Sequence, residues 1–292
     1  MHKAKLCLGT VQLGIKYGVN NVIARQPTKE EAFALLSAAQ RAGVDTFDTA
    51  SAYGTAEDIL GNFFQNASSK ARFISKLKPD CKKTKNAVLT EIKTSLLRLK
   101  VSCLEGYLLH RATDLQCKDI MEGLAEAKKL GLTSMTGISI YKPEEALSAV
   151  TNPCIDCIQI PYNVLDKRLD QTGFFKLAKE NCKIVYARSA FLQGLLLMEP
   201  EKAEFQVNGS GKFIKLFHQI AEKYGYTPVE AAFLYCINHP GIDYVVFGVD
   251  TIKQLAANIT IYNKADNFNA CYEELFNSFK TVPKKVIMPN LW

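Results

Sequence analysis

Short apolar runs alternate with longer amphipathic stretches along the chain. Eight runs have the length and make-up of strands: Lys5–Gly9, Val44–Asp48, Arg72–Lys76, Leu104–His110, Ser134–Ser139, Ile155–Pro161, Lys183–Arg188 and Asp243–Gly248. Segments such as Phe73-Ile-Ser and Ile158-Gln-Ile read as strands buried on both faces. Between the runs lie helix signals. Thr28-Lys-Glu-Glu31 is a capping box, and the helix it starts carries Phe33, Leu35, Leu36 and Ala39 to a stop at Gly43. Ala87–Leu99 places Val88, Ile92, Ser95, Leu96 and Leu99 on one face, and Cys117–Leu130 ends on Gly131. Thr227-Pro228 supplies an N-cap followed by proline at the first helical position. Thr251–Tyr262 is expected to turn Ile252, Leu255 and Ile259 inward.

Parallel neighbours need a crossover, and a helix between successive strands supplies it. An open doubly wound sheet would alternate in the same way. Closure is favoured by the count of eight within roughly 250 residues, and by the lack of a Gly-x-Gly-x-x-Gly after the first strand. The expected fold class is therefore α/β, a single-domain (β/α)8 (TIM) barrel over residues 1–292. Glu199–Gly211 and a helix near Phe213–Tyr224 read as insertions after the seventh strand. A tail over about 266–292, with a helix and an extended end, is expected over or beside the rim.

Composition narrows the partners. With 48% apolar and 22% charged residues the chain can bury a sizeable core. A net charge of +7 without a dense basic run argues against nucleic acid; Lys82-Lys83-Thr-Lys85 reads as a solvated loop and helix start. No stretch approaches the ~20 apolar residues that span a bilayer, and Met1-His-Lys-Ala-Lys5 does not fit a signal peptide. Nine cysteines without a paired spacing point to a reducing compartment, so a cytoplasmic location is expected. Cys154-Ile-Asp-Cys157 reads as small hydrophobes around a buried strand.

In a closed barrel the strand C-termini meet at one rim, so polar residues there share a site although distant in sequence. Asp48, Lys76 and His110 end the second, third and fourth strands, and Tyr53 lies in the loop after the second. A cation beside a phenol lowers its pKa, so Lys76 is expected to tune Tyr53, with Asp48 holding Lys76 and His110 orienting a substrate oxygen. Such a group can protonate a carbonyl oxygen, which makes a reductase the leading reading.

This constellation, set in Val44-Asp-Thr-Phe-Asp48-Thr-Ala-Ser-Ala-Tyr53-Gly, Ser75-Lys76 and Leu108-Leu-His110-Arg, resembles the aldo-keto reductases from Leu8-Gly-Thr10 to Asn258. The resemblance implies hydride transfer from a nicotinamide cofactor, with Tyr53 as acid in reduction and base in oxidation. It extends cofactor contacts to Gly9, Thr10, Asp48, Ser139, Gln159, Arg188, Ser189, Gly194, Gly248, Lys253, Gln254 and Asn258, and implies no metal. Three departures bear on the cofactor. Ile140 stands where the family often has asparagine. Arg188 replaces the usual stacking tyrosine, and is expected either to stack on a flat ring or to bind an anionic substrate group. Gly248 and Gln254 occupy the usual basic positions, with Asp250 nearby. NADP(H) remains favoured, and NAD(H) is compatible. Leu8-Gly-Thr-Val-Gln-Leu-Gly-Ile-Lys-Tyr-Gly18 and Arg188-Ser-Ala-Phe-Leu-Gln-Gly-Leu-Leu-Leu197 resemble bacterial members linked to surface-polysaccharide and unusual-sugar biosynthesis, which implies a sugar-derived carbonyl substrate.

Substrate choice is expected to rest on Asn20–Gln26, Leu195–Gly211 and Lys280–Trp292, whose few aromatics argue against a steroid or aryl pocket. Two other readings stay open: a cofactor-sensing or partner-binding protein on a reductase barrel, and an isomerase or lyase using Lys76 as a Schiff base. Oligomeric state is not legible.

Overall fold

The computed structural model describes residues 3–18, 25–65, 71–264 and 268–292. Eight parallel strands close into a barrel in sequence order: β1 (Lys5–Gly9), β2 (Thr46–Asp48), β3 (Arg72–Lys76), β4 (Leu104–Leu109), β5 (Thr133–Ser139), β6 (Cys157–Pro161), β7 (Ile184–Arg188) and β8 (Tyr244–Phe247). Closure runs through β1 and β8, with Lys5 opposite Tyr244 and Leu8 opposite Phe247. Several expected strands are shorter here. Val44 drops out of β2 because its N–H bonds to Ala39 O in the turn that ends the preceding helix.

Eleven helices longer than one turn surround the strands among the described residues: α1 (Lys29–Arg41), α2 (Ala56–Phe64), α3 (Lys85–Leu99), α4 (Lys118–Lys129), α5 (Pro143–Val150), α6 (Phe174–Glu180), α7 (Pro200–Gln206), α8 (Gly211–Lys223), α9 (Pro228–Ile237), α10 (Ile252–Asn263) and α11 (Asn269–Ser278). Reciprocal capping boxes start α1, α9 and α10 at Thr28, Thr227 and Thr251. The buried face of α3 is the expected one, Val88, Ile92, Ser95, Leu96 and Leu99. In α10 the buried residues are Leu255, Asn258 and Ile261, and Ile252 is 45% exposed, contrary to the expected inward face. Glu199–Gly211 is not a plain loop, since it contains α7 packed on α8.

The tail after residue 267 packs outside the barrel. Lys167 Nζ donates to Leu275 O and Phe276 O at the end of α11, and Gln171 Nε2 donates to Lys280 O. Its end forms two helical turns, Lys284–Ile287 and Pro289–Leu291, in place of the expected extended segment. Residues 266 and 267 lie outside the described residues.

Two apolar layers form the core. The larger lies between barrel and helices. The smaller fills the barrel with Cys7, Ile74, Leu108, Cys157, Tyr186, Tyr244 and Val246, and Tyr186 stacks on Tyr244 at 4.6 Å. Side chains alternate along a strand, so residues two steps on face the same interior nearer the C-terminal rim. From six of these plug residues, those positions are Gly9, Lys76, His110, Gln159, Arg188 and Gly248. The cysteines are all free, with Cys154 exposed and Cys157 buried, so the CxxC pair is not a disulfide.

Candidate active site

The polar layer above the plug is organised on Asp48. Lys76 Nζ donates to Asp48 Oδ1 at 2.6 Å, to Oδ2 at 2.7 Å and to Thr49 O at 2.9 Å. Gln159 Nε2 donates to Asp48 Oδ1 at 2.7 Å, and Ser139 Oγ donates to Gln159 Oε1 at 3.3 Å. The Lys76 and Asp48 side chains are 1% and 6% exposed. Burial opposes the ammonium charge, but Asp48 and Tyr53 outweigh it and hold the Lys76 pKa above its ordinary value.

Tyr53 enters from the β2–α2 loop with its ring centroid 5.1 Å from Lys76 Nζ. Its backbone fits only because residue 14 is glycine: a Cβ there would lie 1.7 Å from Tyr53 O. Burial pushes the phenol up, Lys76 and Arg188 pull it down, and Asp48 raises it again, for a net upward shift. The expected lowering by Lys76 is thus present but outweighed, because burial of the phenol, aided by the Asp48 charge, exceeds the pull of Lys76 and Arg188. The phenol keeps its proton near neutral pH.

His110, just beyond β4, meets Tyr53 edge-on with ring centroids 6.0 Å apart. Burial and the charges of Lys76, Arg188 and Arg111 lower its pKa to about 3, so the ring is neutral near pH 7. Its Nδ1 is buried without a hydrogen-bond partner among the described residues. Asp48, Tyr53, Lys76 and His110 therefore come together as expected, as a protonated phenol between a compensated cation and a neutral imidazole.

A cleft of about 420 Å³ opens beside them. Asp48, Tyr53, Gly9 and Thr10 line it, as do Arg188, Ser189 and Gly194 from the β7 loop. Gly248, Lys253, Gln254 and Asn258 line it from the β8–α10 segment. Ser139 and Gln159 lie beneath, bonded to each other and, through Gln159, to Asp48. Thr10 Oγ1 is engaged with Asp48 O at 2.9 Å. Gln254 Oε1 accepts Asp250 N and Thr251 N, so half of its amide serves the cap. Asn258 is buried, whereas Lys253 is exposed. A Cβ on Gly248 would lie 2.3 Å from Gln12 Nε2, so a basic side chain there would have to displace Gln12.

Ile140 and Arg188 prove to be linked. The Ile140 side chain is buried in the core, while its carbonyl accepts Arg188 Nη2 at 2.9 Å. Arg188 lies over the Tyr141 ring at 4.3 Å and donates from Nη1 to Ser189 Oγ at 3.3 Å. The following loop holds Ser189, Leu192 and Gln193 at φ of 66°, 48° and 55°. Such conformations cost on the order of 1–3 kcal/mol each and cluster at ligand sites.

Sequence reasoning missed Gln12, Gly14, Tyr17, Tyr141 and Phe191. Tyr17 and Phe191 line the cleft, and Gln193 Nε2 donates to Tyr17 Oη at 3.2 Å. The rim is thus more aromatic than its loops suggested. Of the expected substrate segment 20–26, residues 20–24 lie outside the described residues; Gln26 Nε2 donates to Leu13 O and Thr55 Oγ1. From 195–211 only Leu197 lines the cleft, and from 280–292 none does.

Residues 5–271 match the sequence model of the Aldo/keto reductase family. Aldo-keto reductase str7 of Strobilurus tenacellus is 24% identical over 277 residues, covering 86% of this chain and 82% of that one. D-galacturonate reductase of Fragaria ananassa is 28% identical over 178 residues, covering 53% and 54%. The holo form of aldo-keto reductase AKR11C1 from Bacillus halodurans superposes with a TM-score of 0.77 at 21% identity, covering 97% of this chain and 94% of that one.

Proposed function

The chain belongs to the aldo/keto reductase family, and from that premise we propose that it reduces a sugar or sugar-derived aldehyde or ketone to the alcohol, with Tyr53 as proton donor. The observation that carries this reading is the buried Lys76–Asp48 pair set beneath the Tyr53 ring, with neutral His110 at its edge.

A bound nicotinamide cofactor supplies the hydride that reaches the carbonyl carbon. The cleft suits such a group, because it joins Tyr53 to the N-terminus of α10, where backbone N–H groups favour anions. Asn258 offers a buried amide with no protein partner among the described residues.

The remaining work falls to side chains. The Tyr53 phenol, kept protonated by burial, holds its proton where the carbonyl oxygen gains charge. As that proton leaves, Lys76 stabilises the phenolate, and Asp48 keeps Lys76 charged and fixed. Neutral His110 orients the oxygen by a hydrogen bond and does not compete as an acid. In the reverse direction the phenolate takes the alcohol proton.

NADP(H) is the preferred cofactor in this reading. Lys253, exposed in the first turn of α10, offers a cation to a 2′-phosphate, although Asp250 lines the same cleft. A sugar substrate is supported by the polysaccharide-linked motifs and by the similarity to the D-galacturonate reductase of Fragaria.

The test is a panel of sugar-derived and aryl carbonyl compounds with each reduced cofactor, followed by cofactor absorbance. Turnover of sugar-derived members with NADPH is expected. Turnover of aryl aldehydes alone would contradict the substrate class, and cofactor binding without any turnover would favour a cofactor-sensing role.

A further inference from the structure

The Lys76 charge is matched by Asp48, but the second cation of the site has no such match. Arg188 lines the cleft next to Ser189, and no carboxylate pairs with it among the described residues. Arg25, Arg72, Arg98, Arg111 and Arg168 each have an acidic partner. Half-burying an unmatched charge is costly unless a ligand completes it. Its position is close to the chemistry, since its charge acts on Tyr53, His110 and Tyr17.

The guanidinium is also fixed in advance. It rests on Tyr141 and is tied to Ile140 O and Ser189 Oγ. Asn163 Nδ2 in turn holds Ser189 O at 3.1 Å. Those two ties use two of the five N–H groups of an arginine. Tyr17 and Tyr141, 37% and 39% exposed, present aromatic surface at the same mouth.

We propose that Arg188, framed by Tyr17 and Tyr141, receives a carboxylate on the substrate, so that the preferred substrates are carbonyl compounds carrying a carboxylate. This rests on the carbonyl-reduction reading and narrows its substrate. A planar guanidinium matches a carboxylate with paired hydrogen bonds. The charge balance also favours carboxylate over phosphate. One unmatched cation neutralises a single negative charge, and Lys76 is already committed to Asp48.

The test compares aldehydes differing in the acid group: 4-oxobutanoate against butanal, and D-glucuronate against D-glucose. With the wild-type protein, kcat/KM is expected to favour the acid of each pair by about 100-fold, the scale of a charge-assisted pair. In Arg188→Met that ratio should fall by about 30-fold or more, chiefly through KM. Arg188→Lys, which keeps the charge but loses the fork, should retain part of it. If the Met variant fails to fold, the Lys variant and the wild-type ratios carry the test. A wild-type ratio near one, with butanal reduced, overturns the carboxylate site and leaves carbonyl reduction standing. So does a preference for glyceraldehyde 3-phosphate over 4-oxobutanoate. Unchanged ratios in Arg188→Met with weakened NADPH binding by fluorescence would instead give Arg188 to the cofactor. No turnover of either member of both pairs overturns the reduction reading along with the proposal.

Discussion

Replacing Lys76 with methionine removes the ammonium from a pair whose members are 1% and 6% exposed. At separations of 2.6 and 2.7 Å the attraction is about 6 kcal/mol for an effective dielectric constant of about 20. Desolvation offsets much of this in the intact pair, so the net worth is smaller. Losing one partner is more severe, because Asp48 would stay buried with its charge uncompensated, at a cost of about 3–5 kcal/mol. Asp48→Asn leaves the converse defect on Lys76 and should cost a similar amount. The double variant removes both charges and keeps an oxygen for Gln159 Nε2. Its cost should reduce to lost hydrogen bonds at Thr49 O and the amide, about 1–3 kcal/mol. The cycle therefore predicts a coupling energy of about 3 kcal/mol or more. Urea unfolding of the four cofactor-free proteins, followed by far-ultraviolet circular dichroism, measures it. Losses that add within about 0.5 kcal/mol would refute the claim that the pair acts as one buried unit.

Three further outcomes follow from the same geometry. His110 has its folded pKa lowered from 6.5 to about 3. Between those values the unfolded chain binds a proton that the folded one does not, so stability falls as pH drops through that window. His110→Gln should flatten this slope, and an unchanged slope would show the ring to be ordinarily solvated. Gly14→Ala places a Cβ against Tyr53 O and should cost about 100-fold in kcat/KM by shifting the phenol, with cofactor affinity far less changed; wild-type turnover would refute the packing argument. Lys253→Met should weaken NADPH by about 10-fold relative to NADH in fluorescence titration, and Asp250→Asn should shift the ratio the other way; equal effects on both cofactors would remove Lys253 from phosphate recognition.

The barrel was legible because its signals are periodic. Strand runs, capping boxes at Thr28, Thr227 and Thr251, and the α3 face were all set by local rules. The gathering of Asp48, Tyr53, Lys76 and His110 at one rim was legible for a related reason: closure forces strand ends together, and the period of two that buries Ile74 and Leu108 points Lys76 and His110 inward. What escaped depends on through-space sums. The Tyr53 shift turns on burial set against the charges of Lys76, Asp48 and Arg188. The Arg188–Tyr141 stack needs the β5 and β7 loops side by side, and neither loop has a pattern that announces it. Gly14 reads as an ordinary loop glycine until the Tyr53 carbonyl is seen against it. Ile252 fitted helical spacing, yet as the first residue of α10 it is left 45% exposed.

In the proposed reaction the Tyr53 hydroxyl gives the proton to the substrate oxygen. Tyr53→Phe removes that oxygen and little else, because the ring can keep its edge contact with His110. The direct measurement pairs kcat/KM for a reduced carbonyl substrate with NADPH affinity by fluorescence titration in the same variant. In Tyr53→Phe, kcat/KM is expected to fall about 100-fold or more, with cofactor affinity within about threefold of wild type. Turnover within a few-fold of wild type, at intact cofactor binding, would contradict it.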